Sequence, residues 1–315
     1  MLVKENPIDF AGDPLCVRLQ KIVRQEAHYH DNAIEILFCV KGSVSLRSSH
    51  RHVALRAGDV FSMDPGDIHC VYADTDNLVL LLHLNIDHHF CPKDLISTCF
   101  LACETQYMNS LQTGAMYRVK DLMLSLALRA FASEPPSIEM PDLSHAAREL
   151  LNTLIRHFDW LSFIWDPIGE NTLLKERFRR TIQYCLSNYM EKITLSMLAE
   201  REHINKNYFS VFLKHTSFNG FNSMLNFIRC DAAERMLLTT EESVVKISNT
   251  CGFSDPKYFF KHFKDWWGMT PAKLKGWYRD YQKQPAEVTI LSVSDSYLAI
   301  KDYLCQYQIE RAFSI

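Results

Sequence analysis

Apolar and polar positions change their period along the chain. From about residue 15 to 90 the apolar runs are short, as in Ile34-Glu35-Ile36-Leu37-Phe38-Cys39-Val40 and Val44-Ser45-Leu46-Arg47. Turn residues punctuate them at Lys41-Gly42, Ala57-Gly58-Asp59 and Pro65-Gly66. Short apolar strands with turns at this spacing predict an all-β sandwich or barrel. From about 105 the spacing turns helical. Leu122, Leu126 and Ala130 recur on one face. Leu150, Leu151, Leu154, Ile155 and Phe158 form a stripe wide enough for an internal and an intersubunit contact. Between them, Ser133 to Pro141 is a proline-rich break that reads as an exposed loop. From Leu173 to about Tyr281 the pattern is helices with short turns. The tail has an apolar start, Val288 to Val293, followed by a helix-like stretch.

An internal repeat lies in the helical part. Tyr208-Phe209 recurs as Tyr258-Phe259 and Leu213-Lys214 as Phe263-Lys264, both at an offset of 50. Leu198-Ala199 matches Ile247-Ser248 at an offset of 49. Each unit predicts a short helix, a turn and a second helix. In the first, helix one spans about 195–201, with Thr194 as its N-cap, and helix two spans about 206–215. Leu198 and Ala199 pack against Phe209 and Leu213, and the small Ala199 lets the helices cross closely. Lys206, Asn207, Ser210, Val211 and Lys214 are left on the outer face. In the second unit Gly252 supplies the turn, Phe259 and Phe263 face inward, and Lys257, Tyr258, Lys261 and Lys264 face outward. Short polar groups can read base edges and lysines can neutralise phosphates.

Charge sharpens this picture. The formal net charge of the whole chain is -3, which by itself points to no polyanion. Residues 171–283, however, hold 18 Lys+Arg against 11 Asp+Glu, a net of +7. The remainder holds 16 against 26, a net of -10. The basic part is the one suited to phosphate. Composition is that of a globular chain. The most apolar run, Leu78 to Ile86, is too short to span a bilayer and contains His83. The N-terminus lacks a basic start followed by an apolar run, so no secretory signal is expected. The 10 cysteines contain no CxxC pair and read as reduced cytosolic thiols.

The runs Tyr189 to Ala199 and Asn207 to Lys214, and the block Ile247 to Lys264 followed by Gly268-Met269-Thr270-Pro271, resemble the DNA-binding domain of the AraC/XylS family of transcriptional regulators. The resemblance covers about 110 residues. It implies two helix-turn-helix units joined by a long helix, here about 219–238. It also implies a double-stranded DNA operator and RNA polymerase as partners, activation rather than repression, and a small-molecule effector with sugars or glycosides foremost. The family usually has a basic residue where this chain has Val211, Gly where it has Phe218, and Ala where it has Ser248. Val211 is suited to an apolar contact such as a thymine methyl. Trp266-Trp267 is implied to pack against the last helix rather than to stack on bases.

The acidic half carries a second pattern. His28-x-His30, four residues, Glu35, six residues, Gly42 resembles the first cupin motif. Gly58, five residues, Asp64-Pro65-Gly66, two residues, His69 resembles the second. Alternation puts His28 and His30 on one strand face, and Glu35 and His69 complete a three-imidazole, one-carboxylate set suited to Zn, Fe, Ni or Mn. The same four residues, free of metal, would hydrogen-bond a polyol in an effector pocket. No cofactor is required by the sequence; a divalent metal in the cupin-like part is the one it leaves room for. His50, His52, His83, His88 and His89 have no compelling spacing, and Cys99-x3-Cys103 reads as core filling.

The expected architecture is α+β and multidomain. It comprises a cupin-like β-barrel that binds effector (1–100), a helical linker and dimerisation segment (101–170), an all-α domain with two helix-turn-helix units (171–283), and a tail of unassigned role (284–315). The expected protein is a cytoplasmic, homodimeric, non-enzymatic regulator with no membrane partner. Two rivals stay open. One is a metal-dependent cupin enzyme fused to a DNA-binding domain, which requires turnover. The other is an effector-free regulator, which requires an occluded barrel.

Overall fold

The computed structural model describes residues 2–89, 91, 101–106, 113–132, 143–158, 172–216 and 218–313. The predicted loop at 133–141 and Cys99 lie outside the described residues.

Strands β2 (Leu15–Arg24), β4 (Ala33–Lys41) and β9 (Leu78–Asn85) lie side by side, with β7 (Val60–Met63) beyond β4. Every residue of β4 from Ala33 to Val40 is buried. Alternate positions serve different cores. Ile34, Ile36, Phe38 and Val40 meet the helices, whereas Leu37 and Cys39 fill the barrel interior. β9 divides likewise, with Leu80, Leu82 and Leu84 outward and Val79 and Leu81 inward. A strand covered on both faces reads as a continuous apolar run, which is the pattern seen in the sequence. The same alternation turns Glu35 and His83, register partners across β4 and β9, toward the interior.

Strands β3 (His28–Tyr29), β5 (Ser43–Ser48), β6 (Arg51–Arg56) and β8 (His69–Tyr72) complete the barrel wall. β3 pairs with β8 so that His28 stands opposite His69. A short β1 (Lys4–Glu5) runs parallel to β3.

Helices α1 (Thr113–Phe131) and α2 (Leu143–His157) cover the outer face of the β2/β4/β9 layer. Here the structure corrects one expectation. Leu150, Leu151, Leu154 and Phe158 are buried against α1 and the sheet, and Ile155 packs on the same core. The stripe is occupied within one chain, because α2 must cover α1 and the strands beneath it, so Leu150, Leu151, Leu154 and Phe158 are not open to a second subunit, whereas Ile155 is only half-buried. The tail also returns to this layer. β10 (Glu287–Ile290) adds antiparallel to β2, and α10 (Val293–Phe313) packs on α1 with Ile300 buried and Tyr303 edge-on to Phe38 at 5.5 Å.

The basic segment forms α3 (Thr172–Asn188), α4 (Leu195–Arg201), α5 (Lys206–Lys214), α6 (Phe221–Thr239), α7 (Val244–Thr250), α8 (Pro256–Trp267) and α9 (Pro271–Tyr281). The helix starts are written in the sequence. Thr194, Asn205, Ser243, Asp255 and Thr270 each cap a helix through a side-chain oxygen. Gly252, with φ +83°, makes the turn before α8. A Cβ there would stand 2.5 Å from the Tyr189 carbonyl oxygen, so the close approach of chain to chain also requires glycine.

The barrel and the helical domain share a core. Val3, Ala27, Ile68 and Cys70 join the cluster built on Phe209, Phe227, Phe263 and Tyr278. Tyr281 donates from its hydroxyl to the Gln25 carbonyl at 2.8 Å, and the Arg24 guanidinium stacks on its ring. Ser49 donates to Asp231 and Glu234 of α6 at 3.3 and 3.1 Å.

Candidate nucleic-acid interface and metal centre

The two repeat units are superimposable in logic. In each, a short first helix buries a Leu/Ile–small pair, Leu198-Ala199 in α4 and Ile247-Ser248 in α7. The second helices bury Phe209, Phe212 and Leu213 in α5, and Phe259, Phe263 and Trp267 in α8. The opposite faces are open. Lys206, Asn207, Val211 and Lys214 are exposed and Ser210 is half-buried. Lys257, Tyr258, Lys261 and Lys264 are all exposed. Val211 is 54% and Tyr258 55% exposed. Tyr208 is also exposed on α5. Sequence reasoning left it out of the outer face, although its offset of 50 from Tyr258 carries that signal. The helix α6 ties the units together, and Arg229 on it donates to the carbonyls of Tyr189 and Glu191, both at 2.9 Å, fixing the turn before α4. Trp266 and Trp267 pack on Phe227 and Phe263 rather than facing solvent together.

The four acidic-half residues named from the sequence converge inside the barrel. One ligand atom each from His28, His30, Glu35 and His69 lies within 4.8 Å of the others. All four are buried. The Nδ1 atoms face backbone carbonyls: Glu26 at 2.7 Å for His28, Asp67 at 2.9 Å for His69, and Asn6 for His30. A carbonyl oxygen only accepts, so each Nδ1 carries the proton, and in the neutral ring Nε2 offers a lone pair. Burial, and then the neighbouring His69, lower the pKa of His28 to about 3, so its ring is neutral at physiological pH.

The Nε2 atoms of His30 and His69 point at a carboxylate. Glu35 Oε2 stands 2.9 Å from His30 Nε2 and 3.2 Å from His69 Nε2. Burial acts to raise the Glu35 pKa, but His69 and His83 outweigh it and hold the group well below the usual carboxylate range. Its second oxygen, Oε1, is buried and makes no hydrogen bond. At these distances the carboxylate meets either a proton on Nε2 or a cation that the Nε2 lone pairs and the carboxylate share. Imidazoles whose other nitrogen donates to a backbone carbonyl are the usual outer-shell arrangement of metal-binding histidine. The residues present therefore fit a divalent metal held by His28, His30, Glu35 and His69.

His83 was not singled out by spacing. Its Nε2 lies 3.2 Å from Glu35 Oε2, across the β4–β9 register. No motif spacing could have found it, because 48 residues separate the pair. The described cavities lie elsewhere. One of about 180 Å³ opens between barrel and α6, lined by His50, Arg51, Phe61, Asp64, Phe227 and Asp231 among others.

A basic two-unit helical domain with open recognition faces, carried on a β-barrel, defines the class: a DNA-binding transcriptional regulator with an appended barrel domain. The comparisons agree. Residues 198–276 match the helix-turn-helix domain family and residues 17–85 the cupin domain family. The chain is 24% identical over 229 residues to the raffinose operon transcriptional regulatory protein RafR of Pediococcus pentosaceus, covering 71% of this chain and 78% of that protein. It is 23% identical over 252 residues to the transcriptional activator RhaS of Pectobacterium carotovorum, covering 79% and 86%. It is 23% identical over 246 residues to the Msm operon regulatory protein of Streptococcus mutans, covering 78% and 84%. The chain is thus similar to transcriptional regulators of the AraC/XylS family, with a helix-turn-helix domain match behind an N-terminal cupin domain match. Among the described residues, no helix is long and apolar enough to cross a membrane.

Proposed function

We propose that the protein activates transcription from an operator that it binds as a homodimer, α5 and α8 entering successive major grooves. RNA polymerase is the partner that activation requires. The observation that carries the reading is the pair of open faces, Lys206 to Lys214 and Lys257 to Lys264, on two helices whose other sides are buried. Relatives whose names refer to a raffinose operon and to an activator support a sugar-class effector and a positive sign.

The barrel domain acts as sensor rather than enzyme. Its donor set would hold a divalent metal, which would supply a fixed positive charge and Lewis acidity. His28, His30, Glu35 and His69 bind it, and His83 orients the Glu35 carboxylate. A catalytic metal keeps one position open to substrate, whereas this donor set is buried and the barrel interior beside it is filled by Leu37, Met63, Leu81 and their neighbours, so a sugar-class effector would bind outside that interior.

The test uses the full chain carrying Lys257→Ala, Tyr258→Ala and Lys261→Ala together. Operator affinity in a gel-shift titration should fall at least about tenfold with circular dichroism unchanged. Loss of two lysines should also flatten the dependence of log affinity on log salt by up to about 2. Unaltered affinity would remove α8 from the interface.

A further inference from the structure

The segment from His28 to Asp31 has two faces, and they meet different domains. His28 and His30 turn into the barrel centre. Tyr29 and Asp31 turn the other way, onto α6. Arg235 of α6 donates from Nη2 to both oxygens of Asp31, each at 2.6 Å. Its guanidinium carbon lies 4.6 Å from the centre of the Tyr29 ring. The same guanidinium crosses the second cupin motif so closely that a Cβ on Gly66 would stand 2.8 Å from Nη1. Gly66 in turn donates its N–H to the His30 carbonyl at 2.8 Å. One side chain of the DNA-binding domain thus touches both motifs that supply the donors.

The N-terminal arm repeats the connection. Leu2 and Val3 donate their N–H groups to the Leu238 carbonyl at the end of α6, at 2.8 and 3.0 Å. Four residues further on, the Asn6 carbonyl accepts from His30 Nδ1.

We propose that a divalent metal on His28, His30, Glu35 and His69 is itself an effector, and that Arg235 transmits its presence to the DNA-binding domain. The proposal rests on the metal reading of the barrel given above. A cation shared by the four donors fixes His28 and His30, and so the segment that carries Asp31. Asp31 holds Arg235, and Arg235 belongs to the helix that joins the two reading units. Both outer faces stay open in this braced arrangement, so bracing preorganises them for DNA rather than covering them, and preorganisation raises affinity. The Arg235–Asp31 pair is about 42% and 43% exposed. A pair so exposed contributes little to stability, and Arg235 is a positioning residue.

The test uses the full-length chain, Zn²⁺ as the probe, and a duplex selected from random DNA by the same chain. Bound zinc is measured by elemental analysis and DNA affinity by fluorescence anisotropy, with and without metal. The wild type should take up about one equivalent of zinc and bind DNA at least about fivefold more tightly when loaded, the lower end of ordinary coupling between sites. Arg235→Gln and Asp31→Asn should keep the zinc but lose the response. The exchanged pair, Asp31→Arg with Arg235→Asp, should recover part of it. A full zinc response in Arg235→Gln would overturn the transmission route. Zinc uptake by the wild type with no change in DNA affinity would overturn the coupling while leaving the metal centre standing. Absence of zinc uptake would overturn the metal reading and the proposal with it.

Discussion

His83 shows how one side chain can complete a site without belonging to its motif. Its Nε2 meets the Glu35 oxygen that also faces His30 and His69. A ligating carboxylate held by a hydrogen bond is oriented and anionic. Loss of such an outer partner typically costs 10–100-fold in metal affinity. The expected outcome for His83→Ala is therefore a zinc affinity lower by about tenfold or more, at an unchanged stoichiometry near one, read by competition with a chromophoric chelator. A change of stoichiometry to zero would make His83 a ligand rather than an orienting group. Val211 is the complementary case on the DNA-binding side, an apolar side chain that lies exposed beside Tyr208 on the outer face of α5.

At the scale of elements, α2 is the clearest instance of an amphipathic pattern whose partner the sequence does not name. Its stripe suits two surfaces, and the fold gives it one. Leu154 is fully buried against α1 and the sheet layer. Leu154→Ala should lower stability by about 2–5 kcal/mol through lost transfer energy and a cavity. The oligomeric state, followed by light scattering at a temperature where the variant stays folded, should not change. Dissociation of a dimer without loss of melting temperature would return the stripe to an intersubunit role. The tail is the opposite case. β10 and α10 close the edge of β2 and the outer layer of the first domain, although the whole DNA-binding domain lies between them in sequence.

Across the whole molecule the two domains meet through acids of α6, Glu234 buried and Asp231 half-buried. Glu234 on α6 has one carboxylate oxygen on the Ser49 hydroxyl and the other without a hydrogen bond. Burial, and then the nearby Asp231, push its pKa up to about 8, and burial lifts Asp231 to about 6. In the unfolded chain these groups titrate near 4.5 and 3.8. Between the unfolded and folded values the native state holds more protons, so stability falls as pH rises. These two groups therefore take stability away as pH rises from about 5 to 8, by at most roughly 1.4 kcal/mol per pH unit per group. His28 and His50, held neutral by burial, act the other way up to about pH 6.5, so the quantity to read is the difference between wild type and a Glu234 variant. Glu234→Gln, which mimics the protonated acid, should melt higher than wild type at pH 8 and flatten the profile. Equal pH profiles for the two proteins would show that folding leaves the Glu234 pKa where it lies in the unfolded chain.

The sequence by itself determined the local terms. The cap residue Thr194 and the period of the apolar positions placed both helices of the first reading unit within a residue, and Gly252 placed the turn of the second. The spacing of His28, His30, Glu35 and His69 in the two cupin-like motifs named the four residues that meet in the barrel. These signals are legible because each acts over a few neighbouring residues, through backbone hydrogen bonds and side-chain periodicity. What only the tertiary structure decided depends on contacts between distant segments. The register of β4 against β9 brings His83 to Glu35. The strand β10 returns to β2. The α2 stripe turns inward. Arg235 reaches over Gly66 to Asp31, 204 residues away. None of these leaves a periodic trace, because a residue's pattern records that it will be buried or paired and not which partner chain closure will bring to it.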